Sequence, residues 1–236
     1  MFKNELIDSS QQIGAVALSY IPLGLASGIG LAGVGFTPLG ITLMSVIAFT
    51  GSGQFMTSSM VGLGASVSSI LTLNLFLSLR MSLMTSSLSQ YVRGRSKGFL
   101  ALFGQTTADE TYGVNIFQFE NNLDWTQNKA LYANVIAYSA WIVSNWLGAL
   151  IGSAIHIPIT IINFFMTAMF ISLMLAQFTS RTYIIAGIFS GILSILLKII
   201  LKSNMALVLA AIIGSFVGYY LDTYKVRKTG GMDYGR

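Results

Sequence analysis

The stretch SVIAFTGSGQFMTSSM, Ser45 to Met60, sets a glutamine and several hydroxyls among glycines inside an apolar run. Downstream, LNLFLSLRMSLM (Leu73 to Met84) carries an arginine, YVRGRSKG (Tyr91 to Gly98) is a basic turn, and FGQTTADETYG (Phe103 to Gly113) holds an Asp-Glu pair. Apolar runs of this length read as bilayer spans. Polar groups at membrane depth are costly, so they need partners or a function. The rest of the chain reads as the scaffold around them.

Composition supports that reading. Of 236 residues, 54% are hydrophobic and 9% charged, whereas a soluble domain carries roughly 25% charged residues. No charge falls between Asp8 and Arg80, and none between Ala130 and Ser180, a stretch interrupted only by His156. The runs lack two-residue alternation, which excludes a β-barrel. The fold expected is all-α, a polytopic helical membrane protein forming a single transport domain over residues 1–236. The net charge of +5 gathers in the 90s turn and the C-terminal tail, which fits cytoplasmic retention of positive charge and not nucleic-acid binding. The N-terminus lacks signal-peptide character, since Lys3 is followed by Glu5 and Asp8.

Spans are expected at about Ile13–Gly33, Leu39–Gly62, Ser66–Gln90, Leu131–Ile155, Ile159–Phe178, Tyr183–Leu201 and Met205–Tyr220. The segment 99–119 is apolar at its ends but holds Gln105, Thr106, Thr107, Asp109, Glu110 and Asn115. It reads either as a crossing helix or as a polar re-entrant or half-buried piece. Charge bias decides between eight crossings and seven. The turn with Arg93, Arg95 and Lys97 is expected in the cytoplasm, and counting back three spans puts the N-terminus outside. If segment 99–119 does not cross, Arg181 and the basic tail fall inside as well. Seven crossings plus one re-entrant segment, with a cytoplasmic C-terminus, is the preferred arrangement. Gly24 and Gly28 match Gly148 and Gly152, and Gln54-Phe55 matches Gln177-Phe178. These matches suggest an inverted repeat with halves 13–119 and 131–222, a design common in secondary transporters.

The polar residues can be assigned chemistry. Thr50, Gln54, Thr57 and Ser58 form one helical stripe, and Gly51 and Gly53 loosen the helix beside it. An unwound helix exposes amides and carbonyls at membrane depth, as transporter substrate sites do. A close helix crossing with Gln54 as an interhelical hydrogen-bonding group is the plainer alternative. Arg80 has Phe76, Leu77, Leu83 and Met84 on its own face and needs a partner elsewhere. Asp109 and Glu110 are the only acids between residues 9 and 119. Adjacent acids point about 100° apart on a helix, so one can pair with Arg80 while the other carries a proton. His156 reads as an interfacial residue, and Trp141 and Trp146 as packing residues. With one histidine and no cysteine, no metal centre or cofactor site is expected. No nucleophile-and-base motif is present, so an enzyme is not expected.

Taken together, PLGLASGIG, SVIAFTGSGQF, LSLRMSLM, ADE and INFFMTAMFISLM resemble, in order and spacing, the AzlC family of branched-chain amino acid transport proteins. The similarity covers nearly the whole chain and brings Arg80, Asp109 and Glu110 into register with family motifs. Ser78 and Met81 stand where the family usually has Asn and His, and Asn163 where it often has Asp. The resemblance implies a plasma-membrane carrier for branched-chain amino acids, usually exporting them, with a small AzlD-type membrane subunit. Substrate binding is expected at Gly51, Gly53, Gln54, Arg80, Asp109, Glu110 and Asn163, with Phe49, Phe55 and Phe170 as apolar walls. Other readings are a channel or pore-type subunit for small polar solutes and a non-transporting structural membrane subunit. Homo-oligomerisation stays open.

Overall fold

The computed structural model describes residues 2–154, 160, 164, 167–168, 171, 181–201 and 205–228. Every regular element among them is a helix. Contacts divide the chain into two bodies, residues 1–166 and 167–236. Among the described residues, four helices are long and apolar enough to cross a membrane: Lys3–Gly33, Val67–Leu88, Gln127–Ala154 and Ile184–Leu201.

The first body is built on α1 (Phe2–Gly33) and α7 (Gln127–Ala154). They run parallel. At one end Ser9 Oγ donates to the Lys129 carbonyl at 2.9 Å and Lys129 pairs with Asp8 at 2.7 Å. Further along, Gly24 faces Ser144 and Asn145, Gly28 faces Asn145 and Ala149, and Gly152 faces Ile29. Glycines on both helices let the backbones meet, which is how spans associate when no hydrophobic force separates protein from lipid. The match of Gly24 and Gly28 with Gly148 and Gly152 is therefore two sides of one crossing. Inverted halves at 13–119 and 131–222 would set α1 and α7 antiparallel, and they are parallel.

The expected second span, Leu39–Gly62, is two helices. Gly35, at φ 97°, turns the chain, and Thr37 then caps α2 (Pro38–Ile47) by accepting from the Gly40 amide, with Pro38 in the first turn. The chain opens at Ala48–Thr50. Thr50 caps α3 (Gly51–Gly62) by accepting from the Gly53 amide. Near the start of α2, Ile41 packs on Leu31 and Ala149 at the distal ends of α1 and α7. Ser45 and Gln54 bond across the break at 2.7 Å, so α3 folds back on α2. It then leads outward beside α4 (Val67–Leu88), with Ser52 level with Arg80 and Thr57 level with Asn74. The α2–α3 pair enters and leaves on the same side.

Segment 99–119 follows the same plan from the opposite side. Gly94, at φ 83°, turns the chain and Ser96 caps α5 (Lys97–Gln105). The break lies at Thr106–Ala108, and α6 (Asp109–Asn121) returns. Its ends are held at the proximal rim: Arg95 bonds Asn128, Phe119 stacks on Tyr91, and Gln118 donates to Gln12. Both ends of the segment lie together at one rim, which is the geometry of the re-entrant alternative. An inverted relation exists after all, between α1–α2–α3 and α4–α5–α6, each a long span followed by a broken hairpin. Its boundaries differ from those the glycine matches suggested.

This topology departs from the sidedness read from charge. Only α1 and α4 separate the N-terminus from the 90s turn, so both lie on one rim. Gln127 donating to the Tyr91 carbonyl and Lys129 pairing with Asp8 hold that rim together. Apart from Arg80, Asp109 and Glu110, every charged residue from Lys3 to Lys129 belongs to it, and none belongs to the turns at 34–37 and 63–66. Since the chain has no cysteine, single cysteines report sidedness directly. Asn4→Cys and Gly98→Cys will react with an impermeant maleimide from one face and Leu63→Cys from the other. Reaction of all three from one face would mean that α2–α3 crosses.

In the second body, α8 (Arg181–Leu201) and α9 (Met205–Lys228) lie antiparallel. Gly214 sits over Ser190 and Gly218 over Ala186, another crossing on small residues. His156, Pro158, Asn163, Phe170 and the Gln177-Phe178 match lie outside the described residues.

Candidate functional site

The two hairpin tips meet in the middle of the first body. Gln105, the last residue of α5, donates through Nε2 to the carbonyls of Val46 and Ile47, both at 2.9 Å. These are carbonyls at the C-terminal end of α2, which have no intrahelical partner. Tyr138 of α7 also donates to Val46 O at 2.7 Å. The break after α2 thus frees carbonyls that Gln105 of the opposing hairpin and Tyr138 of α7 take up.

Arg80 finds its acid here. Its Nη2 lies 2.7 Å from Asp109 Oδ2 and 3.4 Å from Ser52 Oγ. Asp109 begins α6, where the positive end of the helix dipole favours a carboxylate. The two side chains stay 39% and 37% exposed. Yet Arg80 Nε and Asp109 Oδ1 are enclosed and lack a protein partner. One free donor and one free acceptor therefore flank the ion pair. Glu110 points elsewhere: Tyr20 of α1 donates to its Oε2 at 2.7 Å. The two acids diverge, as their 100° offset requires.

Gln54 is fully buried. Its Nε2 donates to Ser45 and its Oε1 accepts from Trp141 Nε1 at 2.8 Å. Both ends of the amide are satisfied, so Gln54 locks α3 to α2 and α7. Gly51 and Gly53 are helical residues in the first turn of α3, and the unwound part is Ala48–Thr50 just before them. A Cβ at Gly51 would meet the Trp141 ring at 3.1 Å, and one at Gly53 would meet Asn74 Oδ1 at 2.6 Å. Both glycines permit close approach of these side chains. Asn163 lies outside the described residues.

Tyr20, Tyr138 and Asn134 escaped the sequence reading, and they pack around Phe49 and Trp141, which it names, and the second hairpin. Tyr20 lies edge-on to Trp141 and Phe49, with ring centres 5.4 and 6.3 Å apart, and Phe49 meets Tyr138 at 4.9 Å. This aromatic group borders the α2–α3 tip. Phe55 is buried. Asn134 braces the second hairpin, donating to Thr107 Oγ1 at 3.1 Å and accepting from Asn115 at 2.8 Å. Asn115 also accepts from Trp125. The only sequence signal for Asn134 and Asn145 was an amide inside an apolar span. Among the described residues, no group of three or more His, Cys, Asp or Glu could hold a metal ion.

The AzlC protein family profile matches residues 15–155, which spans the whole of this site. The inner membrane protein YgaZ of Escherichia coli K12 is 27% identical over 70% of this chain and 70% of its own length. An uncharacterized membrane protein of Archaeoglobus fulgidus is 27% identical over 77% and 78%. One from Helicobacter pylori J99 is 24% identical over 71% and 73%. No solved structure matches the chain.

Proposed function

Because the chain belongs to the AzlC family, a family of membrane proteins, we propose that it is a secondary transporter for branched-chain or similar apolar amino acids. In this reading it exports them across the plasma membrane with a small AzlD-type subunit.

The observation that supports it best is the half-occupied ion pair at the meeting of the two tips. A zwitterion supplies what the free atoms lack. Its carboxylate suits the Arg80 guanidinium and the Gly51 and Ser52 amides that open α3, as helix N-terminal donors. Its ammonium suits Asp109 Oδ1. Its apolar side chain suits the ring surfaces of Phe49, Tyr20 and Tyr138. Broken helices meeting near mid-membrane are the usual setting for such a site. Hairpins entering from opposite sides also give each face its own gate, as alternating access needs.

The charged rim carries Lys3, Arg93, Arg95, Lys97 and Lys129, so we place it in the cytoplasm by the positive-inside rule. The tail residues Lys225, Arg227 and Lys228 belong on the same side by the same rule.

Efflux from preloaded vesicles tests the substrate. Leucine, isoleucine and valine should leave faster with the protein than without it, and faster again with the partner subunit. No acceleration for any of these or for methionine would end the amino-acid reading.

A further inference from the structure

The break before α3 is held open from outside the hairpin. In an unbroken helix the Thr50, Gly51 and Ser52 amides would donate to the carbonyls of Val46, Ile47 and Ala48, four residues back. Each of those carbonyls is already taken. Val46 O accepts from Gln105 at 2.9 Å and from Tyr138 at 2.7 Å, and Ile47 O accepts from Gln105 at 2.9 Å. Ala48 O accepts from the Thr50 amide, which has turned back on it. Among the described residues no acceptor takes the Gly51 or Ser52 amide.

Ile47 is the carbonyl that matters most, since among the described residues Gln105 alone donates to it. The Gln105 amide has two N–H groups, and both are spent on α2. Gln105 ends α5, so this donor comes from the opposing hairpin. The second break is braced differently. There the Phe103 carbonyl accepts from Thr107 Oγ1 in its own hairpin and from Asn134 of α7.

We infer that Gln105 is a positioning residue for the solute carboxylate. It occupies the Val46 and Ile47 carbonyls in place of the Thr50 and Gly51 amides. The Gly51 amide is thereby left free in the turn whose Ser52 lies 3.4 Å from Arg80. The role rests on the proposed transport of a zwitterion and adds a link between the hairpins to it. Withdrawal of α5–α6 removes both N–H groups at once. Ile47 can then take the Gly51 amide back, and the grip on the anion weakens. Solute affinity is in this way tied to the position of the other hairpin.

Amide spectra of the purified full-length protein in detergent test this. With carbonyl-13C threonine and 15N glycine, only the Thr50–Gly51 and Thr229–Gly230 pairs give a signal, and Thr229→Ser removes the second. In Gln105→Met the Gly51 proton should move downfield as Ile47 takes it up. Gln105→Glu, which keeps the shape without the two N–H groups, should move it likewise. Tyr138→Phe, which strips a donor from Val46 alone, should leave it in place. Leucine should move the signal downfield in the parent, and leucinamide, which lacks the carboxylate, should not. The parent's preference for leucine over leucinamide should fall about tenfold in Gln105→Met, the value of one hydrogen bond to a charged group. An unmoved Gly51 signal in either folded Gln105 variant would overturn the inference, as would an equal move in Tyr138→Phe or an unchanged preference. A signal that moves in the Gln105 variants but answers to leucine in no protein would leave Gln105 holding the break and end the amino-acid reading instead.

Discussion

Replacing Arg80 by alanine will cut amino-acid efflux by at least about 100-fold while the protein still accumulates. Each charge-assisted hydrogen bond is worth about 1.5–3 kcal/mol. Arg80 is proposed to make one or more to the substrate carboxylate, and every 1.4 kcal/mol is a factor of ten. The structural cost is smaller. Breaking a buried ion pair costs about 3–5 kcal/mol, but Arg80 and Asp109 are 39% and 37% exposed. Screening should reduce that to about 1–2 kcal/mol, a shift of a few degrees in Tm. Exchanging the charges separates the two effects. Arg80→Asp with Asp109→Arg rebuilds a pair, so it should recover most of the lost Tm. It should not recover efflux, because Ser52 and the first amides of α3 would then face an acid. Wild-type efflux from Arg80→Ala would remove Arg80 from the mechanism.

That pairing was legible from sequence because charge is so scarce. An arginine with Phe76, Leu77, Leu83 and Met84 on its face has only Asp109 or Glu110 to reach between residues 9 and 119. The choice between the acids was not legible, because it depends on Tyr20 from α1 taking Glu110. The long helices were also readable, as uncharged apolar runs of sufficient length. The α2–α3 hairpin was not. Leu39–Gly62 is long and apolar enough for a crossing, and a return costs nothing in composition. What turns the chain is tertiary. Thr50 caps a new helix, Gln54 reaches back to Ser45, and Gln105 and Tyr138 take up the carbonyls freed at Val46 and Ile47. Three of those partners lie far away in sequence or on the other side of the break. Charge counting then inherited the error, since one crossing too many reverses the N-terminus. Segment 99–119 was easier to read because its polarity counted against a plain span.

The scaffold itself gives the other large effect. Gly28→Ala and Gly148→Ala should each lower Tm by more than about 5 °C or prevent accumulation of folded protein. A Cβ at Gly28 would overlap the Asn145 carbonyl oxygen and crowd the Ala149 amide, and one at Gly148 would overlap the Leu25 carbonyl oxygen. Those are backbone atoms, so no rotamer change relieves the clash and α1 must move away from α7. Overpacking a core by even one methylene typically costs about 1–3 kcal/mol, and here the displacement spreads along the crossing from Gly24 to Gly152. It also pulls Tyr20 away from Trp141, and so Glu110 away from its donor. Gly14 is the control: a Cβ there meets nothing within 4 Å. Gly14→Ala should be neutral or slightly stabilising, since alanine favours the helix by about 0.5–1 kcal/mol. Melting curves of the three variants, followed by size-exclusion fluorescence, decide the matter. If Gly28→Ala and Gly14→Ala behave alike, α1 and α7 are not held by backbone contact, and the frame carrying both hairpins must be something else.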